Sequence, residues 1–108
     1  MSRFDDVVQR LASVIESRRG ADPAKSWSAR LIADRSLAAK KLAEEAVETA
    51  LAAAQDDRAA VVAESGDLIY HWLALRAATG VSLDEVAEAL EAREGQSGVA
   101  EKAARTRP

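Results

Sequence analysis

Acidic residues recur at helical spacing inside two apolar stretches of this chain. The first cluster is Glu44, Glu45 and Glu48, and the second is Glu64 and Asp67. Residues three and four positions apart share one face of an α-helix, so each cluster directs its carboxylates to one side. Because such a face repels itself unless a cation lies against it, the pattern predicts a partly buried site with oxygen ligands on two consecutive helices.

The apolar residues recur with a helical period along most of the chain. The predicted helices cover residues 4–19, 27–34, 37–55, 58–79 and 83–93. Ser36 is the expected cap of the third helix, and Ser82 with Glu85 forms a capping box that opens the last one. Gly66, inside the fourth helix, is expected to mark a close approach between helices. No strand-like alternation occurs, so the predicted fold class is all-α, a bundle of about four main helices.

The length and composition indicate one small domain with a thin core. The chain has 108 residues, of which 48% are hydrophobic but only 4% aromatic, so a lone monomer buries little area per residue. We therefore expect a homodimer that pairs through the central helices. The predicted domain spans residues 1–95, and residues 96–108 form a polar C-terminal tail.

The charge pattern and the missing cysteines exclude several classes of protein. The formal net charge is −3 and no basic stripe is present, so nucleic acid is not an expected partner. Without cysteine, disulfides, thiolate zinc sites and thiol nucleophiles are excluded. No continuous apolar run has the length of a signal or membrane span, and we expect a cytoplasmic protein without membrane partners.

The spacing within the two clusters suits a hard metal ion. Glu45 with Glu48, and Glu64 with Asp67, are pairs three residues apart, which lets two carboxylates on one helix converge on one ion. Ligation by carboxylates alone favours Mg²⁺, with Mn²⁺ possible, over zinc or copper. Because Mg²⁺ in proteins commonly bridges to phosphates, the pattern indicates phosphate chemistry. The nearby candidates for holding phosphate oxygens are Arg30, Lys40 and Lys41.

Each of these features also has a plain structural interpretation. Lys41 lies four residues before Glu45, so the first cluster can be a solvated face with weak ion pairs. His71 is the single histidine, and we expect it in the core or orienting Asp67 rather than binding metal. Trp27, next to a loop, is the best candidate for stacking on a base. The two serines beside it, Ser26 and Ser28, are expected to be turn or capping residues.

The longer motifs resemble one enzyme family. Ser26-Trp27-Ser28-Ala29-Arg30-Leu31, Lys40 to Glu48, Glu64-Ser65-Gly66-Asp67 and Gly80 to Val86 resemble the phosphoribosyl-ATP pyrophosphohydrolases, which belong to the all-α nucleoside triphosphate pyrophosphohydrolases. The resemblance extends nearly end to end. It implies a Mg²⁺-dependent, cytoplasmic, helical dimer that removes pyrophosphate from phosphoribosyl-ATP to give phosphoribosyl-AMP, the second step of histidine biosynthesis.

The resemblance also implies roles for individual residues. The implied metal ligands are Glu45, Glu48, Glu64 and Asp67. Glu44 is implied as a further ligand or as a base that orients water, and Lys41 faces the polyphosphate. Two other functions stay open: a sibling pyrophosphohydrolase that acts on a different nucleotide, and a non-catalytic helical dimer or interaction module whose acidic faces are solvated.

Overall fold

Helices account for all the regular structure in residues 2–96 and 98–105, which the computed structural model describes. The elements are α1 (Arg3–Ser17), α2 (Trp27–Ala33), α3 (Arg35–Ala54), α4 (Arg58–Thr79), α5 (Leu83–Glu91) and α6 (Gly98–Arg105). The all-α prediction is confirmed. Helix α6 lies in the region expected to be a polar tail. Residues 97 and 106–108 of that tail, and residue 1, fall outside the described part of the chain.

Side-chain caps set where the helices begin. The predicted capping box of Ser82 and Glu85 is present at the start of α5. The prediction for α3 was wrong, because Asp34, not Ser36, is its N-cap and accepts a hydrogen bond from the Leu37 N–H at 3.1 Å. Helix α2 ends at Ala33, so Asp34 is the single residue between α2 and α3. It is both the C-cap of α2 and the N-cap of α3.

Helices α3 and α4 form the main pair of the fold. The connection between them is Gln55 to Asp57, and three residues bring two long helices back antiparallel. Asp56 adopts the left-handed conformation, with φ of 54°, and Asp57 caps α4 through the Ala60 N–H. Helices α1, α2 and α3 all pack on α4, which is therefore the central helix of the fold. This arrangement places the two acidic clusters on facing helices.

Small residues dominate the core around α4. Its largest fully buried side chains are Ile15, Leu31 and Leu73, and much of the remaining core is alanine. Gly66 lies on the exposed surface of α4, and a Cβ atom built on it meets no atom within 4 Å. The expectation that Gly66 marks a close helix approach was therefore wrong. No described helix has the length and apolar character required to cross a membrane.

Candidate metal centre

Three carboxylates from the two acidic clusters converge between α3 and α4. One oxygen from each of Glu45, Glu48 and Glu64 lies within 4.8 Å of the others. Glu45 and Glu48 are one turn apart on α3, and Glu64 comes from the second turn of α4. The helical spacing along α3 places Glu45 and Glu48 on one face, and the antiparallel packing of α4 brings Glu64 to them.

Glu45 is the most buried member of this group. It is 8% exposed, and its Oε2 atom is buried without a hydrogen-bond partner among the described residues. Loss of solvation, followed by the charge of Glu48, raises the pKa of Glu45 above its usual range. Burying a carboxylate oxygen without a donor is costly, so this atom requires a proton or a cation.

Glu64 has the most strongly shifted acidity in the group. Its pKa is raised to about 7, first because its protonated form can hydrogen-bond to Glu48, and then by burial and by Glu45. The Oε2 atom of Glu64 is also buried and without a partner among the described residues. Near neutral pH Glu45 and Glu64, whose pKa values are both raised, therefore share a proton when no cation is present.

Glu44 belongs to the same acidic stretch but has a different partner. Its carboxylate accepts a hydrogen bond from Lys41 Nζ at 3.0 Å. This contact is the main cause that lowers the pKa of Glu44 and raises the pKa of Lys41. Glu44 is thus ionised at neutral pH and is not one of the three converging carboxylates.

The other residues singled out from the sequence lie around this group. Asp67 is exposed one turn beyond Glu64 on α4, and its charge contributes to the raised pKa of Glu45. It is close enough to act electrostatically but is not part of the group within 4.8 Å. Arg30 is exposed at the end of α2, and Lys40 is exposed on α3.

Two side-chain contacts between α2 and α4 were not expected from the sequence. His71 Nε2 accepts a hydrogen bond from the Trp27 indole N–H at 3.2 Å, and Ser28 Oγ lies 2.6 Å from the Tyr70 hydroxyl. Ser26 caps α2, as expected, but Ser28 is buried in this contact and is not a capping residue. The sequence carries one weak signal of these pairs: Trp27 and Ser28 are neighbours on one helix, and Tyr70 and His71 are neighbours on another.

The donor set fits a hard divalent cation. All the converging ligand atoms are carboxylate oxygens, which Mg²⁺ and Mn²⁺ prefer. A cation here would supply the charge that the unpartnered oxygens of Glu45 and Glu64 lack. The fold and site together define an all-α protein with a carboxylate centre between two antiparallel helices.

Comparison with known proteins identifies the family. The family model for phosphoribosyl-ATP pyrophosphohydrolase matches residues 8–94. A phosphoribosyl-ATP pyrophosphatase of Caulobacter vibrioides is 64% identical over 103 residues, covering 95% of this chain and 96% of the relative. Proteins of the same name from Caulobacter sp. strain K31 and Cereibacter sphaeroides are 58% and 50% identical, covering 97% and 92% of this chain and 98% and 97% of the relatives. The chain belongs to the phosphoribosyl-ATP pyrophosphohydrolase family.

Proposed function

We propose that this protein hydrolyses phosphoribosyl-ATP to phosphoribosyl-AMP and pyrophosphate, the second step of histidine biosynthesis, with Mg²⁺ bound at the carboxylate centre. The observation that carries the proposal is the convergence of Glu45, Glu48 and Glu64 in a chain that matches the family over residues 8–94. The reaction adds one water across the α,β-phosphoanhydride bond. No covalent enzyme intermediate is needed, since the carboxylates bind the ion rather than attack.

Glu45, Glu48 and Glu64 would hold the ion, with Asp67 as the fourth ligand. Bound Mg²⁺ neutralises negative charge on phosphate oxygens and makes water a better nucleophile. The charge of Asp67 helps to raise the pKa of Glu45, and this proximity supports Asp67 as a ligand. Mn²⁺ has the same preference for oxygen ligands and would also occupy the site.

Glu44 and Lys41 are proposed to act on water and phosphate. Lys41 holds Glu44 in its ionised form, so the Glu44 carboxylate can accept a hydrogen bond from water and orient it. The Lys41 ammonium has three N–H groups, and its contact with Glu44 leaves two for phosphate oxygens. Arg30 and Lys40 are exposed cations that would extend this phosphate contact.

The direct test is pyrophosphate release from phosphoribosyl-ATP, measured with and without Mg²⁺. We expect turnover with the ion and none in chelator. Glu48→Ala removes a ligand and should lower kcat roughly a thousandfold or more, equivalent to about 4 kcal/mol of transition-state stabilisation. The matched control is Glu88→Gln, which neutralises an exposed glutamate on α5.

A panel of nucleoside triphosphates decides between this reaction and that of a sibling enzyme. Hydrolysis of deoxynucleoside triphosphates with phosphoribosyl-ATP left intact would reject the proposed substrate but retain the site. Near wild-type turnover by Glu48→Ala would reject the metal assignment. Isothermal titration with Mg²⁺ tests the non-catalytic alternative, because a merely solvated acidic face should show no defined site.

We also propose that the protein is a cytoplasmic homodimer whose catalytic unit lies within residues 1–95. Large apolar residues on the two central helices are exposed in the single chain: Val47 is 58%, Leu51 54% and Val62 70% exposed. Burial of these residues against a second copy would supply apolar area that the alanine-rich core lacks. In sedimentation experiments the wild type should be a dimer, and Val62→Glu should shift towards monomer.

A further inference from the structure

Two adjacent hydrogen bonds hold the start of α2 against α4. Trp27 and Ser28 are consecutive residues at the beginning of α2, and they contact His71 and Tyr70 on α4. Tyr70 and His71 also contact each other edge to face, with ring centroids 4.9 Å apart. The side chains at this junction are therefore held by several contacts at once, which fixes their orientation.

The hydrogen bonds of His71 define which of its nitrogens carries the proton. Nδ1 lies 2.8 Å from the backbone carbonyl oxygen of Asp67, and a carbonyl only accepts hydrogen bonds. Nδ1 therefore carries the hydrogen, and Nε2 is free to accept one from the Trp27 indole, which only donates. His71 is 7% exposed and both ring nitrogens have partners, so the imidazole is fixed in one tautomer and orientation.

Trp27 combines this fixed position with an exposed ring. Its contact with His71 uses the edge of the indole, with an angle of 72° between the ring planes. The residue remains 40% exposed. An aromatic ring that is already immobilised can stack on a planar ligand without losing further side-chain freedom, so little entropy opposes the contact.

The indole is held by His71, which lies on the same face of α4 as Asp67, the proposed fourth metal ligand. His71 follows Asp67 by one helical turn, an axial rise of about 6 Å, which is the scale of one sugar unit between a base and its first phosphate. A nucleotide with its phosphates at the carboxylates would therefore bring its base towards Trp27.

We propose that the Trp27 indole is the platform on which the purine of the nucleotide stacks, and that His71 is a positioning residue that holds this platform in place. The inference rests on the proposed function for the identity of the nucleotide. Stacking on an aromatic side chain changes binding and not the chemistry at phosphorus, so its loss should appear in KM and not in kcat. This separates Trp27 from the residues assigned to the metal and to water.

The first experiment measures steady-state hydrolysis of phosphoribosyl-ATP by variants of Trp27. Trp27→Ala should raise KM roughly tenfold to a hundredfold, the range expected for loss of one stacked base, while kcat changes by no more than about twofold. Trp27→Phe keeps a ring face but loses the indole N–H, so its KM should lie between those of the wild type and Trp27→Ala.

A matched pair of His71 variants separates positioning from general stability. In His71→Gln the amide oxygen reaches the region of Nε2 and can accept from Trp27, whereas in His71→Asn the amide lies near Nδ1 and keeps only the contact with the Asp67 carbonyl. His71→Asn should raise KM several-fold, and His71→Gln should restore most of the affinity. Equal KM values for the two variants would reject the positioning role.

Fluorescence gives a readout of binding that needs no turnover. The chain has two tryptophans, so Trp72→Phe leaves Trp27 as the only indole. Phosphoribosyl-AMP should quench the emission of this variant, and adding His71→Asn should weaken the quenching. If Trp27→Ala does not fold, as judged by circular dichroism, the quenching and the Trp27→Phe kinetics decide the question.

The outcomes distinguish this inference from the proposed function. Unchanged KM in Trp27→Ala together with unquenched Trp27 emission would overturn the stacking role while phosphoribosyl-ATP is still hydrolysed. If the wild type does not hydrolyse phosphoribosyl-ATP, the proposed function fails. Quenching by phosphoribosyl-AMP would then still support the base platform, and its absence would reject it.

Discussion

Metal binding should displace a proton from the carboxylate centre, and the amount should depend on pH. In the metal-free protein the pKa of Glu64 is raised to about 7, mainly because its protonated form can hydrogen-bond to Glu48. A divalent cation needs the ionised carboxylates as ligands, so the shared proton must leave when the ion binds. The apparent affinity for Mg²⁺ should therefore fall as the pH decreases below 7.

The size of this effect follows from the raised pKa. A group that titrates near 7 is about nine-tenths protonated at pH 6 and about one-tenth protonated at pH 8. Binding of one ion should thus release about one proton per protein at pH 6 and almost none at pH 8. Because Glu45 titrates together with Glu64, the released proton belongs to the group of carboxylates and not to one residue.

Isothermal titration with Mg²⁺ in two buffers of different ionisation enthalpy measures this proton release. The dependence of the binding heat on the buffer gives the number of protons at each pH. A release that is the same at pH 6 and pH 8 would refute the shared-proton description. In a carboxyl NMR titration of the metal-free protein, an apparent pKa near 7 should be present in the wild type and in Glu88→Gln but absent from Glu64→Gln.

Three further predictions concern stability. Glu64 gains a proton on folding between pH 4.5 and about 7, so its contribution to metal-free stability should be lost as pH rises through 7, and urea unfolding of Glu64→Gln should not show this loss. Gly66→Ala should stabilise the fold by about 1 kcal/mol, because the position is helical and open, and a melting temperature that fell would contradict this. Asp34→Ala should cost about 1 kcal/mol through loss of the α3 cap, whereas Ser36→Ala, the control inside the first turn, should change stability by a few tenths at most.

The limits of sequence reasoning are clearest at the helix starts and around α2. A capping box is local, so the pairing of Ser82 with Glu85 could be predicted from two residues three positions apart. The start of α3 could not be predicted in this way, because it depends on where α2 ends. Helix α2 ends at Ala33 and leaves Asp34 as the only residue between the two helices. The Trp27 contact with His71 joins residues 44 positions apart and depends on how α2 packs on α4.

The sequence by itself determined that the chain is all-helical and that acidic faces lie on two consecutive helices, because the period of the α-helix converts residue spacing directly into a shared face. The sequence motifs also predicted the family to which the chain belongs. Only the tertiary structure decided which carboxylates meet. The packing of α3 against α4 brings Glu45, Glu48 and Glu64 together, whereas Lys41 engages Glu44. Helical spacing fixes the direction of a side chain, but the distance between atoms on different helices depends on how those helices pack.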